Sequence, residues 1–118
     1  MTIDRLVSDA THPNSPARCA ESTVEGTKGT IALRGEIDDS NAEQLRQVVD
    51  DLLATGVTTV VADFRAVTFF DSSCLGVLVY AHRALGERGG TLTVVNTSAY
   101  GRKIFRITGL ASLLDVED

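Results

Sequence analysis

Tryptophan is absent from this 118-residue chain, methionine occurs once, and cysteine, proline and histidine occur twice each; aromatic residues make up 5%. Two cysteines, Cys19 and Cys74, form neither a disulfide framework nor a Cys-x-x-Cys metal pair. A reducing, cytoplasmic setting is the simplest expectation. No apolar run approaches the ~20 residues that cross a bilayer. The N-terminus lacks the charged-then-apolar pattern of an export signal. Lys and Arg number 11 against 16 acidic residues, a formal charge of −5. The clustered cations that nucleic acid or an anionic membrane would call for are therefore not expected, and proteins are the natural partners. Gly86, Gly89 and Gly90 fit neither spacing of the phosphate-cradling glycine loops. No cofactor or metal is expected.

What remains is ordinary globular material, 43% apolar and 23% charged. One domain of this length buries about two-thirds of its unfolded surface. Residues 1–17 hold both prolines, show no period and are expected to form a flexible tail, leaving residues 18–118 as the domain. The spacing predicts a hairpin from Cys19–Val24 and Thr30–Leu33, with a turn longer than the tight two-residue type. Ser40 and Glu43 match a capping box ahead of a helix whose stripe is Ala42, Leu45, Val48, Val49, Leu52 and Leu53, closed by Thr55-Gly56. Val57–Phe64 reads as a buried strand, Ser73–Leu85 as a helix, Thr91–Val95 as a strand and Ala99–Ile107 as a third helix. Leu113–Val116 reads as a last short strand. The predicted fold is α/β: a mixed sheet of about four to five strands with an opening hairpin and helices mainly on one face.

The most informative stretch is Phe69-Phe70-Asp71-Ser72-Ser73-Cys74-Leu75-Gly76, where an apolar strand becomes an apolar helix. A helix start presents unpaired N–H groups and partial positive charge, which suit an Asp or Ser cap or a phosphate. Ser nucleophilic chemistry is disfavoured. His82 lies ten residues beyond Ser72, roughly 15 Å along a helix, and the Gly-x-Ser-x-Gly elbow is missing. Asp38, Asp39 and Asp71 could share one rim, more plausibly solvated than metal-binding, because no complete ligand set is visible. The helix after Ser73 is apolar almost all round its first two turns. Leu75, Leu78 and Val79 are assigned to the core and Cys74 and Val77 to a contact surface. Cys74 in the first turn could carry a lowered thiol pKa and, with Cys19, a redox role; a plain buried residue is the commoner case.

Gly35-Glu36-Ile37-Asp38, then a helix, then Val60-Val61-Ala62-Asp63 and Phe70-Asp71-Ser72-Ser73-Cys74-Leu75-Gly76 together resemble the STAS domain, in particular the free-standing anti-sigma factor antagonists of bacteria. Thr91–Asn96 and Ile104–Leu110 match the same pattern, so the resemblance covers residues 19 to 118 and includes Asp-Ser-Ser/Thr-x-Leu-Gly. It implies a non-enzymatic binding module with Ser72 as the regulatory phosphorylation site. The expected partner-binding set is Asp38, Asp71, Ser72, Ser73, Cys74 and Val77, with Cys74 and Val77 taken from the apolar excess of the helix. The implied partners are a serine-kinase anti-sigma factor and a PP2C-type phosphatase that resets the cycle. The alternative is a STAS adaptor of a larger signalling assembly or of a lipid-transport ATPase. Cys74 stands where the family usually has Gly or Ala, and the chain stops at Asp118, where family members normally continue into a final helix.

Overall fold

The computed structural model describes residues 18–117, and the expected tail of residues 1–17 lies outside them. Its elements run β1 (Ala20–Glu25), β2 (Lys28–Ile37), α1 (Ala42–Ala54), β3 (Thr59–Phe70), α2 (Ser72–Gly86), β4 (Thr91–Val95), α3 (Ala99–Ile107), a 3-10 turn (Leu110–Ser112) and β5 (Asp115–Val116). They form a five-stranded sheet in the order β1-β2-β3-β4-β5, antiparallel between β1 and β2 and parallel from there on. The expected mixed α/β architecture is the observed one.

One face of the sheet carries the core. Ile31 and Leu33 of β2, Val60, Ala62 and Phe64 of β3, and Leu92 and Val94 of β4 all point into a single apolar cluster with the buried stripes of the helices. The alternate residues, among them Ala32, Arg34, Val61 and Thr93, are half-buried or exposed on the other face. This is the period-two pattern of a sheet covered on one side. Helix α1 buries Leu45, Val48, Val49, Leu52 and Leu53, as the stripe requires, and ends at Gly56 with φ 91.

Three local expectations are corrected. The hairpin turn is tight: Glu25 pairs with Lys28 across Gly26-Thr27, and Gly26 at φ 63 supplies the positive φ that such turns need. The capping box of α1 does not form. Asp38 takes both Ser40 groups, accepting from its N–H at 3.0 Å and its Oγ at 2.6 Å, so Asn41 becomes the N-cap position with no side-chain cap bond. Strand β3 runs six residues beyond the expected Phe64, and β2 runs on through Gly35 to Ile37. Two irregularities, between Ala32 and Arg34 and between Gly35 and Glu36, each place one extra residue in β3, and Gly35 sits at φ 72 beside them. The extension brings Phe70 beneath α3, where Phe64, Phe70 and Phe105 form an aromatic triangle with centroid separations of 5.3 to 5.9 Å.

Candidate switch site

Because β2, β3 and β4 are parallel, the chain leaves all three at the same end of the sheet, into α1, α2 and α3 respectively. The expected site residues come together there. Ile37 pairs with Phe70, and the next residue, Asp71, donates its N–H to the Ile37 carbonyl at 3.2 Å, tying the α2 start to the β2 exit. Asp71 is the N-cap of α2. Its Oδ1 accepts the Ser73 N–H at 2.8 Å and its carbonyl accepts the Leu75 N–H at 3.2 Å. Ser72 is therefore the first residue of the helix, and it is exposed, whereas Ser73 is half-buried.

The β2–α1 loop is braced by two side chains. Asn41 accepts the Asp38 N–H at 2.9 Å and donates from Nδ2 to the Glu36 carbonyl at 2.8 Å. Hydrogen bonds from the Ser40 hydroxyl and N–H hold the Asp38 carboxyl below its ordinary pKa. Asp38 thus stays ionised at the rim. Asn41 had no part in the sequence reading, since nothing local marks a brace that depends on the turn it closes.

Two expected contact residues are corrected by burial. Cys74 has no accessible surface and Val77 is buried, so neither offers a side chain to a partner. Val79, assigned to the core, is half-buried. Helix α2 is covered by α1 as well as by the sheet, and both Cys74 and Val77 fall within that covered arc. The Cys74 thiol is pushed up to about 12, chiefly by desolvation and then by the Asp71 charge, which overrides any lowering by the helix start. Burial also raises the Cys19 thiol, which donates weakly to the Asn41 carbonyl at 3.7 Å. Among the described residues no group of three or more His, Cys, Asp or Glu is arranged for a metal, and Asp38 and Asp71 stand as rim acids.

The exposed stripe of α2 runs from Ser72 through Gly76 to Arg83, with half-buried Val79 and Tyr80 between. Tyr80 also joins α2 to α1. Its hydroxyl donates to Asp50, and the Arg46 guanidinium lies 3.8 Å from its ring centroid. Beyond the start of α2, Phe69 is 48% and Tyr100 66% exposed, flanking a pocket between the end of β3 and the start of α3. The sequence reading gave neither a contact role, because their exposure is set by the fold; the scarcity of aromatics was the available signal.

A family model described as "Mlab, STAS domain" matches residues 22–115. An anti-sigma F factor antagonist of Lysinibacillus sphaericus is 32% identical over 87 residues, 71% of this chain and 74% of its own. The fold is similar to that of the anti-sigma factor antagonist SpoIIAA in its unphosphorylated form, with TM-score 0.68, 27% identity and coverage of 84% of this chain and 87% of that one. It is equally similar to the Bacillus cell fate determinant SpoIIAA in the phosphorylated form, with TM-score 0.67, 28% identity and coverage of 84% and 91%. With its sheet, its Asp-capped helix α2 and a family model spanning nearly all of the described residues, this chain belongs to the STAS-domain family.

Proposed function

We propose that this protein is an anti-sigma factor antagonist that binds a serine-kinase anti-sigma factor and is released by phosphorylation of Ser72. The observation that carries the reading is the exposed Ser72 hydroxyl at the first position of an Asp-capped helix. Relatives named as antagonists, one of them solved in both unphosphorylated and phosphorylated forms, support it. The protein is then a substrate and a ligand. The kinase supplies the base that accepts the hydroxyl proton, and a PP2C-type phosphatase removes the group.

The physics fits such a switch. Phosphate adds about −1.5 to −2 charges beside Asp71, at a helix start whose N–H groups and dipole tolerate an anion. The domain therefore stays folded while its docking surface changes charge and shape. A coupling of ~1–3 kcal/mol corresponds to a roughly 5–150-fold loss of affinity. Asp38, Asp71, Ser72 and Ser73 form the partner-binding set that remains after Cys74 and Val77 are withdrawn. Cytoplasmic residence follows from the same reading.

The test pairs the protein with a kinase of this class and ATP. One phosphate should map to Ser72; Ser72→Ala should bind and resist release, and Ser72→Glu should bind at least fivefold more weakly. Phosphate on Ser73 alone, or wild-type binding by Ser72→Glu, overturns the reading. Recovery of an ABC ATPase in place of a kinase would favour the adaptor role.

A further inference from the structure

We infer that the pocket between the end of β3 and the start of α3 receives the carboxylate of an acidic side chain on a protein partner. The inference rests on the reading that this chain docks on a protein, and goes beyond it by naming a second contact and its chemistry. Phe64, Phe69, Phe70, Thr97, Ser98 and Tyr100 line the pocket.

Thr97 is the buried polar residue of that lining. The residue is 5% exposed, the one buried polar residue of the described chain, and its Oγ1 has no hydrogen-bond partner among the described residues. A buried hydroxyl without a partner is costly, so something is expected to satisfy it. The fold keeps that hydroxyl in place. A Cβ on Gly101 would collide with Thr97 Oγ1, so the glycine makes room for it, and the Thr97 carbonyl accepts from Arg102 at 3.0 Å.

The surroundings specify an acceptor. Helix α3 has nine residues, and its Ser98 cap accepts the Gly101 N–H at 3.0 Å, leaving the Ala99 and Tyr100 N–H groups without intrahelical acceptors. These donors and the positive end of the helix together favour an anionic oxygen. Size selects among anions. The pocket leaves about 20 Å³ for the centre of a water-sized group, enough for one oxygen and far below the ~300 Å³ of a site that encloses a small molecule. A free metabolite bulkier than a short carboxylate would leave most of its surface in solvent. A side chain presented by a protein surface would place its oxygen on Thr97 while its neighbours cover Phe69 and Tyr100, a buried polar contact ringed by aromatics.

Sodium acetate is the probe, titrated into the full ¹⁵N-labelled chain against sodium chloride at matched ionic strength. The Ala99 and Tyr100 amides should shift saturably with acetate and not with chloride. Thr97→Val should weaken binding by roughly tenfold, as loss of a hydrogen bond to a charged group does, and Thr97→Ser should restore it. Equal shifts in chloride, no saturable shift, or wild-type affinity in Thr97→Val would each overturn the pocket. If Thr97→Val does not fold, the wild-type titration and Thr97→Ser still decide. Acetate and Thr97→Val should also weaken the complex of this protein, unphosphorylated at Ser72, with its kinase partner; a complex indifferent to both removes the assignment to a partner's side chain. Release of Ser72→Ala is read separately, so failure of the pocket and failure of the switch are distinguishable.

Discussion

Asp71 fastens its helix start twice, through its side chain to the Ser73 N–H and through its backbone to the Ile37 carbonyl. Replacing it by alanine keeps the backbone bond and loses the cap. Asp71→Ala should therefore lower stability by about 1 kcal/mol, read as a shifted urea midpoint with unchanged slope. A midpoint equal to wild type would show that the cap bond contributes nothing. The Asp and the adjacent hydroxyls were legible in the sequence because capping chemistry is local. The fate of Cys74 was not. A first-turn thiol is acidified only where solvent and dipole both reach it, and burial under α1 is a tertiary fact that helical spacing does not contain.

Among the elements, β3 and α3 show where pattern reading stops. The amphipathic stripe of α1 and the alternation of β4 carry one period each, and both were read with close to their observed bounds. Beyond Phe64, β3 contains Arg65 and Thr68 and two irregularities, so no uninterrupted alternation marks its last six residues as strand. That extension is held by its pairing with β2 and by the contact of Phe70 with Phe64 and with Phe105 of α3, both distant in sequence. Phe105 is fully buried. Phe105→Ala should cost about 3–5 kcal/mol and loosen the end of β3 as well as α3. Hydrogen exchange would then rise in residues 66–70 along with α3; protection unchanged in β3 would show that the aromatic triangle does not couple them.

At the scale of the molecule, acidic residues outnumber basic ones, yet two carboxyls are tuned to stay charged. For Asp63, desolvation acts to raise the pKa, but hydrogen bonds from the Arg65 N–H at 2.9 Å and Asn96 Nδ2 at 3.0 Å outweigh it, and the folded value is lowered. A lowered folded pKa contributes stability that is complete above the unfolded value of ~3.9 and disappears as pH falls through the folded value. Asp63→Asn should consequently flatten the fall of unfolding free energy below about pH 4 while leaving the neutral-pH dependence as in wild type. Denaturant titrations across that range measure it, and an acid limb as steep as wild type would refute the contribution. The same Asp63–Asn96 pair sits where β4 ends and β3 continues paired to β2 only, with Asn96 at φ 60 turning the chain toward α3.

The two fastenings at Asp71 have a consequence for how a phosphate there would be felt. A helix start pinned to the neighbouring strand exit has no slack with which to swing an added anion away from a docked surface. The proposed switch would then work as a fixed electrode, changing the local field while the scaffold stands still. Fields at an exposed surface reach only a Debye length, ~8 Å at physiological salt. The discrimination between the two forms would fade as salt rises, down to the part that the bulk of the phosphate alone maintains.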